Sequence, residues 1–144
     1  MWEFTANAVQ TINPGESAIF TATNQTGVRR FVQHRDETGN FLISGWMPYN
    51  TCFCKNASYL VSFGANIAVP ATETVGPISV ALMLDGSTLP ASTMIVTPNA
   101  VEQYFNVSRE ITVDIFRNCC ETFSVRNTST IPILMQNANL IIAR

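Results

Sequence analysis

Apolar and polar residues alternate one by one through most of this chain. From Tyr59 to Val69, the side chains of Val61, Phe63, Ala65, Ile67 and Val69 fall on one side of an extended backbone, with Ser62, Gly64 and Asn66 on the other. This is the period-two signature of a half-buried strand. Pro70 removes a ladder donor and ends the run. Ile78, Val80, Leu82 and Leu84 repeat the alternation after Gly76-Pro77. Asp85-Gly86 then predicts a tight turn and an antiparallel return, with Thr93-Met94-Ile95-Val96 as its ordered part.

Later segments follow the same rule. Between Glu110 and Phe116, Ile111, Val113 and Ile115 oppose Thr112, Asp114 and Phe116. Glu121 to Arg126 alternates again before a turn at Asn127-Thr128-Ser129, and two closing segments run from Ile131 to Met135 and from Ala138 to Ala143. Near the start, Ala18 to Thr21 follows the turn-rich Asn13-Pro14-Gly15, while Phe31 to His34 and Asn40 to Ile43 flank the charged turn Arg35-Asp36-Glu37-Thr38-Gly39. Only Pro98 to Tyr104 offers a helical turn, with Pro98 tolerated at its start. The pattern predicts an all-β sandwich or jelly roll of about 8–10 short antiparallel strands. One domain covers residues 1–144, with residues 1–12 free to form an extended N-terminal arm.

A chain of 144 residues that is 47% hydrophobic can fill a core of its own. Eight Lys and Arg against ten Asp and Glu leave a net charge of -2, without the basic stripe that phosphate neutralisation needs. Nucleic acid is therefore not an expected partner. The opening Met1-Trp2-Glu3-Phe4-Thr5 lacks a basic stretch followed by an apolar run, so no signal peptide is expected. The uncharged stretch from Asn56 to Thr72 alternates instead of running continuously apolar, so no membrane insertion is expected either.

Candidate chemistry is sparse. The only histidine, His34, stands beside Arg35, Asp36 and Glu37, and a charged hairpin loop accounts for the group better than an acid–base pair. Ser44-Gly45 lacks the nucleophile-elbow context, the acidic residues other than Asp36-Glu37 are scattered singly, and no phosphate loop or calcium loop is present. Cys52, Cys54, Cys119 and Cys120 are even in number, but both pairs are tighter than the Cys-x2-Cys knuckle of structural zinc sites. Free thiols packing as small hydrophobes are expected. No catalytic residue, cofactor site or metal site is assigned, and the chain is expected not to be an enzyme.

Charge distribution points instead to a covered surface. Between Asn56 and Val101 the only charged residues are Glu73 and Asp85, whereas an isolated domain spreads charge over its exterior. Sister subunits covering an outward strand face explain the deficit. Met83 and Phe116 point away from the apolar side of their strands; with Phe123 and Tyr59 they are the candidate interface residues. Trp46 and Tyr49, together with Trp2 and Phe4, are the candidate ligand or attachment residues. Trp2 also reads as an anchor for the first strand, and Trp46-Met47-Pro48-Tyr49 as a plug closing one end of the sandwich.

The segments Tyr59-Leu60-Val61-Ser62-Phe63-Gly64-Ala65-Asn66-Ile67, Gly76-Pro77-Ile78-Ser79-Val80-Ala81-Leu82 and Asp85-Gly86 resemble the tumour-necrosis-factor-like head of collagen-like surface proteins. Tyr104 to Ser108, Val125 to Ser129 and Asn137 to Ile142 extend the match. The whole chain is also similar to small stand-alone phage and prophage proteins of gut Firmicutes that carry this head without a collagen stalk. No Gly-x-y repeat is present here. The resemblance implies a homotrimeric structural protein, a capsid decoration or other virion surface protein. It would be made in the host bacterial cytoplasm and attached to a capsid or surface lattice protein. The alternative is a knob at a fibre tip or on a bacterial or spore surface, with a glycan or cell receptor as its partner.

Overall fold

The structure is a computed structural model that describes residues 1–35, 38–47, 56–117 and 120–144. Among them are twelve strands: β1 (Trp2–Ala6), β2 (Gln10–Ile12), β3 (Ala22–Gln25), β4 (Val32–Arg35), β5 (Asn40–Ser44), β6 (Asn56–Ala68), β7 (Ile78–Leu84), β8 (Ser87–Thr88), β9 (Met94–Val96), β10 (Phe105–Phe116), β11 (Cys120–Asn127) and β12 (Ile133–Ala143). The count exceeds the expected eight to ten because β2, β8 and β9 are two- or three-residue pieces that pair briefly at sheet margins. All pairings are antiparallel.

Two six-stranded sheets result. The first runs β10-β6-β12-β1-β3 with β2 beside β12; the second runs β4-β5-β11-β7-β8 with β9 beside β7. Their inner faces carry the residues that the alternation places there: Val61, Phe63 and Ile67 of β6, Val80 and Leu82 of β7, Val125 of β11, and Leu140 and Ile142 of β12, all buried in one cluster. Each such side chain contributes about 1.5–3 kcal/mol by leaving water, so the facing apolar rows are what hold the sheets together.

The Asp85-Gly86 turn forms as expected. Both residues have positive φ, 49° and 80°, the requirement of a tight hairpin turn whose twist matches its strands. Asp85 also accepts from the Thr122 amide at 2.8 Å through its carboxylate, tying the turn to β11. The two expected closing segments are one strand: β12 continues through an irregularity between Gln136 and Asn139, where Asn137 takes φ 51°. Asn is among the few residues that tolerate that conformation.

Four expectations are corrected. Residues 1–12 are not an arm, because Trp2, Phe4 and Ala6 alternate with Glu3 and Thr5 and sink into the core, leaving β1 hydrogen-bonded between β12 and β3. Pro98 to Tyr104 holds no helical turn; Glu102 at φ 56° donates its amide to Val69 instead. The short helical turn is at Pro90–Ser92. Ala18 and Phe20 are buried but lie outside any strand, Ala18 being held by its amide on the Val125 carbonyl at 2.8 Å. Asn127 closes β11 in the interior and not in an open turn.

Candidate functional site

Residues paired across an antiparallel ladder share a face, so the register fixes what the first sheet shows to solvent. Thr112, Leu60 and Ala143 form one cross-strand row; Glu110, Ser62, Ile141 and Glu3 form the next; Ser108, Gly64, Asn139 and Thr5 form a third. Toward one end the face finishes on Asp114 beside Ser58 and Phe116 beside Asn56. Short polar pairs line it. Ser62 donates to Glu110 at 2.8 Å, Asn106 to Asn66 at 3.1 Å, Asn24 to Thr5 at 3.1 Å, and Ser58 to Asp114. Gly64 leaves no side chain beneath Asn139.

This face combines small polar groups with exposed apolar ones. Leu60 is 42% exposed and Phe116 63% exposed, while Ile141 is half-buried. Its charged residues in these rows are Glu3, Glu110 and Asp114. Leu60 and Ile141 were missed in the sequence because each stands in a strand rich in apolar residues. Their parity, opposite to Val61 and Ile142, was the available signal.

Of the four expected interface residues only Phe116 lies open. Tyr59 and Phe123 are fully buried, and Met83 is 3% exposed. Tyr59 shares parity with Val61, and Phe123 with Val125, so both point into the sandwich. Met83 does face outward from the core, but it lies between Thr88 and Ser124 on neighbouring strands, and Thr88 donates to its sulfur at 3.3 Å. The same chain therefore covers all three, and they are withdrawn as subunit contacts.

Among the attachment candidates, Trp2 and Phe4 are buried at 3% and 2% exposure and serve the core. Trp2 meets Phe31 edge-on and Phe4 packs on Phe41, so neither is available for attachment or for adding a strand to a neighbour. Tyr49 lies outside the described residues, as do Cys52, Cys54 and Cys119; Cys120 is a free, exposed thiol. Trp46 is 37% exposed. It sits at the end of the sandwich in a stack of rings and guanidinium groups, with Arg30 4.8 Å above its ring and Phe31 5.6 Å away. Arg144 lies over Phe31 at 4.2 Å and donates to the Trp46 carbonyl and to the Tyr59 hydroxyl. The Tyr59 hydroxyl in turn donates to the Ser44 carbonyl at 2.5 Å. Burial pushes the Tyr59 phenol above its ordinary pKa, and the Arg144 charge opposes that only in part. The arrangement holds a planar apolar ring at the surface next to two cations.

His34 stacks on Phe41 at 4.5 Å and touches Phe4. Among the described residues no three His, Cys, Asp or Glu side chains come together as metal ligands, and no helix is long and apolar enough to cross a membrane.

No family model and no curated protein matches the chain. Solved structures do. The globular domain of zebrafish complement 1qA protein superimposes with a TM-score of 0.59 at 11% identity, covering 97% of this chain and 94% of that one. The fold is a tumour-necrosis-factor-like jelly roll. Pika GITRL gives a TM-score of 0.43 at 12% identity over 98% of this chain and 96% of that one. A family 35 carbohydrate-binding module from an environmental isolate gives 0.42 at 14% identity over 100% and 93%.

Proposed function

We propose that this chain is a non-enzymatic structural protein that assembles as a homotrimer and attaches to a larger surface, a virion lattice in the leading reading. The outer face of the first sheet carries this proposal. Its small polar residues are paired with one another. Leu60 and Phe116 are exposed there where a monomer gains nothing from them. Three-fold closure is heterologous, so the face of one copy meets a different region of the next. That geometry lets Glu3 and Glu110 meet a cation such as Arg109 on the β10 edge in place of their own copies. The virion setting rests on the sequence resemblance to stand-alone phage proteins, and the end of the sandwich around Trp46 is the part left to grip the lattice.

Light scattering of the purified chain at micromolar concentration tests assembly. A mass of three chains is expected, reduced to one chain by Leu60→Asp or Phe116→Asp with unchanged far-UV circular dichroism. A monomeric wild-type protein refutes the proposal. The exposed, cation-flanked Trp46 supports a second reading, a knob that binds a glycan or cell receptor. Binding of the trimer to cells or glycans but not to capsids, lost in Trp46→Ala, selects that reading.

A further inference from the structure

Two arginines stand side by side at Arg29-Arg30, in the segment that joins β3 to β4. Val28 to Phe31 is a four-residue turn closed by one hydrogen bond, the Phe31 amide donating to the Val28 carbonyl at 3.0 Å, with the arginines as its central residues. Little else holds the segment. Every residue from Thr21 to Arg30 is exposed except the half-buried Gly27, and Val28 shows 56% of its surface. β3 buries no side chain; its ties are the ladder to β1 and the Asn24 side chain on Thr5. Thr23, Thr26 and Arg29 border an open cleft of about 570 Å³ on the inner side.

Few buried apolar contacts and an exposed backbone mark a segment that opens locally at low free-energy cost. A protease depends on such an opening to draw the chain into its active site. Arg35, Arg109 and Arg126 are set in ladders instead, Arg35 opposite Asn40, Arg109 opposite Phe63, and Arg126 between Ala81 and Ser17. A cut in the turn leaves the pieces joined. Residues 1–29 keep β1 and β2 on β12, with Trp2, Phe4, Ile12 and Phe20 in the core, and none of those contacts depends on the broken bond.

We propose that the Arg29-Arg30 turn is a processing site for a trypsin-like protease, whose specificity pocket takes a cationic side chain, and that the cut frees Trp46 from Arg30 while the body stays folded. Water adds across the Arg29–Arg30 peptide bond. Its hydroxyl goes to the Arg29 carbonyl carbon and its hydrogen to the Arg30 nitrogen, giving a new carboxylate and a new amino group. Arg30 then lies at a free end, and the guanidinium 4.8 Å above the Trp46 ring loses the turn that places it there. The ring, 37% exposed in the intact chain, becomes more open. Processing goes beyond the assembly proposed above and does not rest on it, because the turn lies off the outer-face rows of the first sheet.

Limited digestion of the full chain with trypsin, read by intact-mass spectrometry, tests this. The first cut should fall after Arg29 or Arg30, and the two pieces should elute together from a sizing column with unchanged far-UV circular dichroism. Acrylamide should quench the indole fluorescence more strongly after the cut, and Trp46→Phe should abolish that gain. Arg29→Gln combined with Arg30→Gln, both at exposed positions, should slow loss of the intact chain by about tenfold or more, because cleavage in a ladder waits for a costlier opening. A first cut at any other basic residue overturns the proposal. So does separation of the pieces, an indole no more accessible after the cut, or a quenching gain that survives Trp46→Phe.

Discussion

Asn127 shows how much one polar side chain can hold. It is 1% exposed, and its amide nitrogen donates to the carbonyls of Ile12 and Ile131, each at 2.9 Å. Its carbonyl oxygen accepts the Ser129 amide at 2.8 Å. Three backbone groups, one on β2 and two in the turn after β11, are thereby satisfied at once. Asn127→Ala should lower unfolding free energy by about 2–4 kcal/mol, since buried partners lose their bonds without regaining water, measurable by urea denaturation. Tyr59 gives a pH prediction. Its folded pKa is raised by burial, so its contribution to stability is complete below the unfolded tyrosine value of about 10 and is lost as pH rises through the folded one. Thermal melts from pH 8 to 11 should show an alkaline decline that Tyr59→Phe flattens. At this scale much was legible. Parity alone places Tyr59 and Phe123 inside, and assigning them to an interface set aromatic character above the alternation that surrounds them. The role of Asn127 was not legible, because it joins the turn beside it to Ile12, 115 residues away in the sequence.

Strands were readable wherever alternation persisted: β6, β7 and β11 lie where the pattern puts them, and β10 starts at Phe105, ahead of the expected Glu110. The exceptions have local causes. Ala18 and Phe20 have strand parity but no ladder; a crossing segment can bury side chains while its amides bond to a neighbouring strand's carbonyls. β12 looked divided because Gln136-Asn137 interrupts its apolar run, and a left-handed Asn inserts a kink without ending the pairing. Gly39 marks a third such point. Its φ is 60°, and a methyl group there would collide with the Ala18 carbonyl. The β4–β5 hairpin therefore packs against the Ala18 segment only with glycine at this position. Gly39→Ala should cost about 1–3 kcal/mol, combining left-handed strain with the clash, and the melting temperature should fall accordingly. Gly86→Ala, with open space around it, should cost less.

For the whole molecule, the inner and outer faces of the first sheet predict opposite sensitivities. Phe63→Ala, inside, should destabilise by about 3–5 kcal/mol. Leu60→Ala, three residues earlier and outside, should leave the chemical denaturation of a dissociated chain nearly unchanged. Paired denaturation curves check this. The low charge of residues 56 to 101 was a sound cue to a special exterior, but it named a stretch of sequence, whereas the exterior is assembled from β10, β6, β12 and β1 together. Only the register could say that Leu60, Ile141 and Phe116 share it.

That register also dictates a timetable. Trp2 pairs with Ile142 and Ala6 with Ala138, so β1 has to wait for β12 to be made. Until then its Trp2 and Phe4 side chains have no sheet to close against, and a nascent chain must keep them from other sticky surfaces. Non-local pairing of this kind slows folding. Overproduction at high temperature should therefore yield insoluble material even though the finished protein is stable.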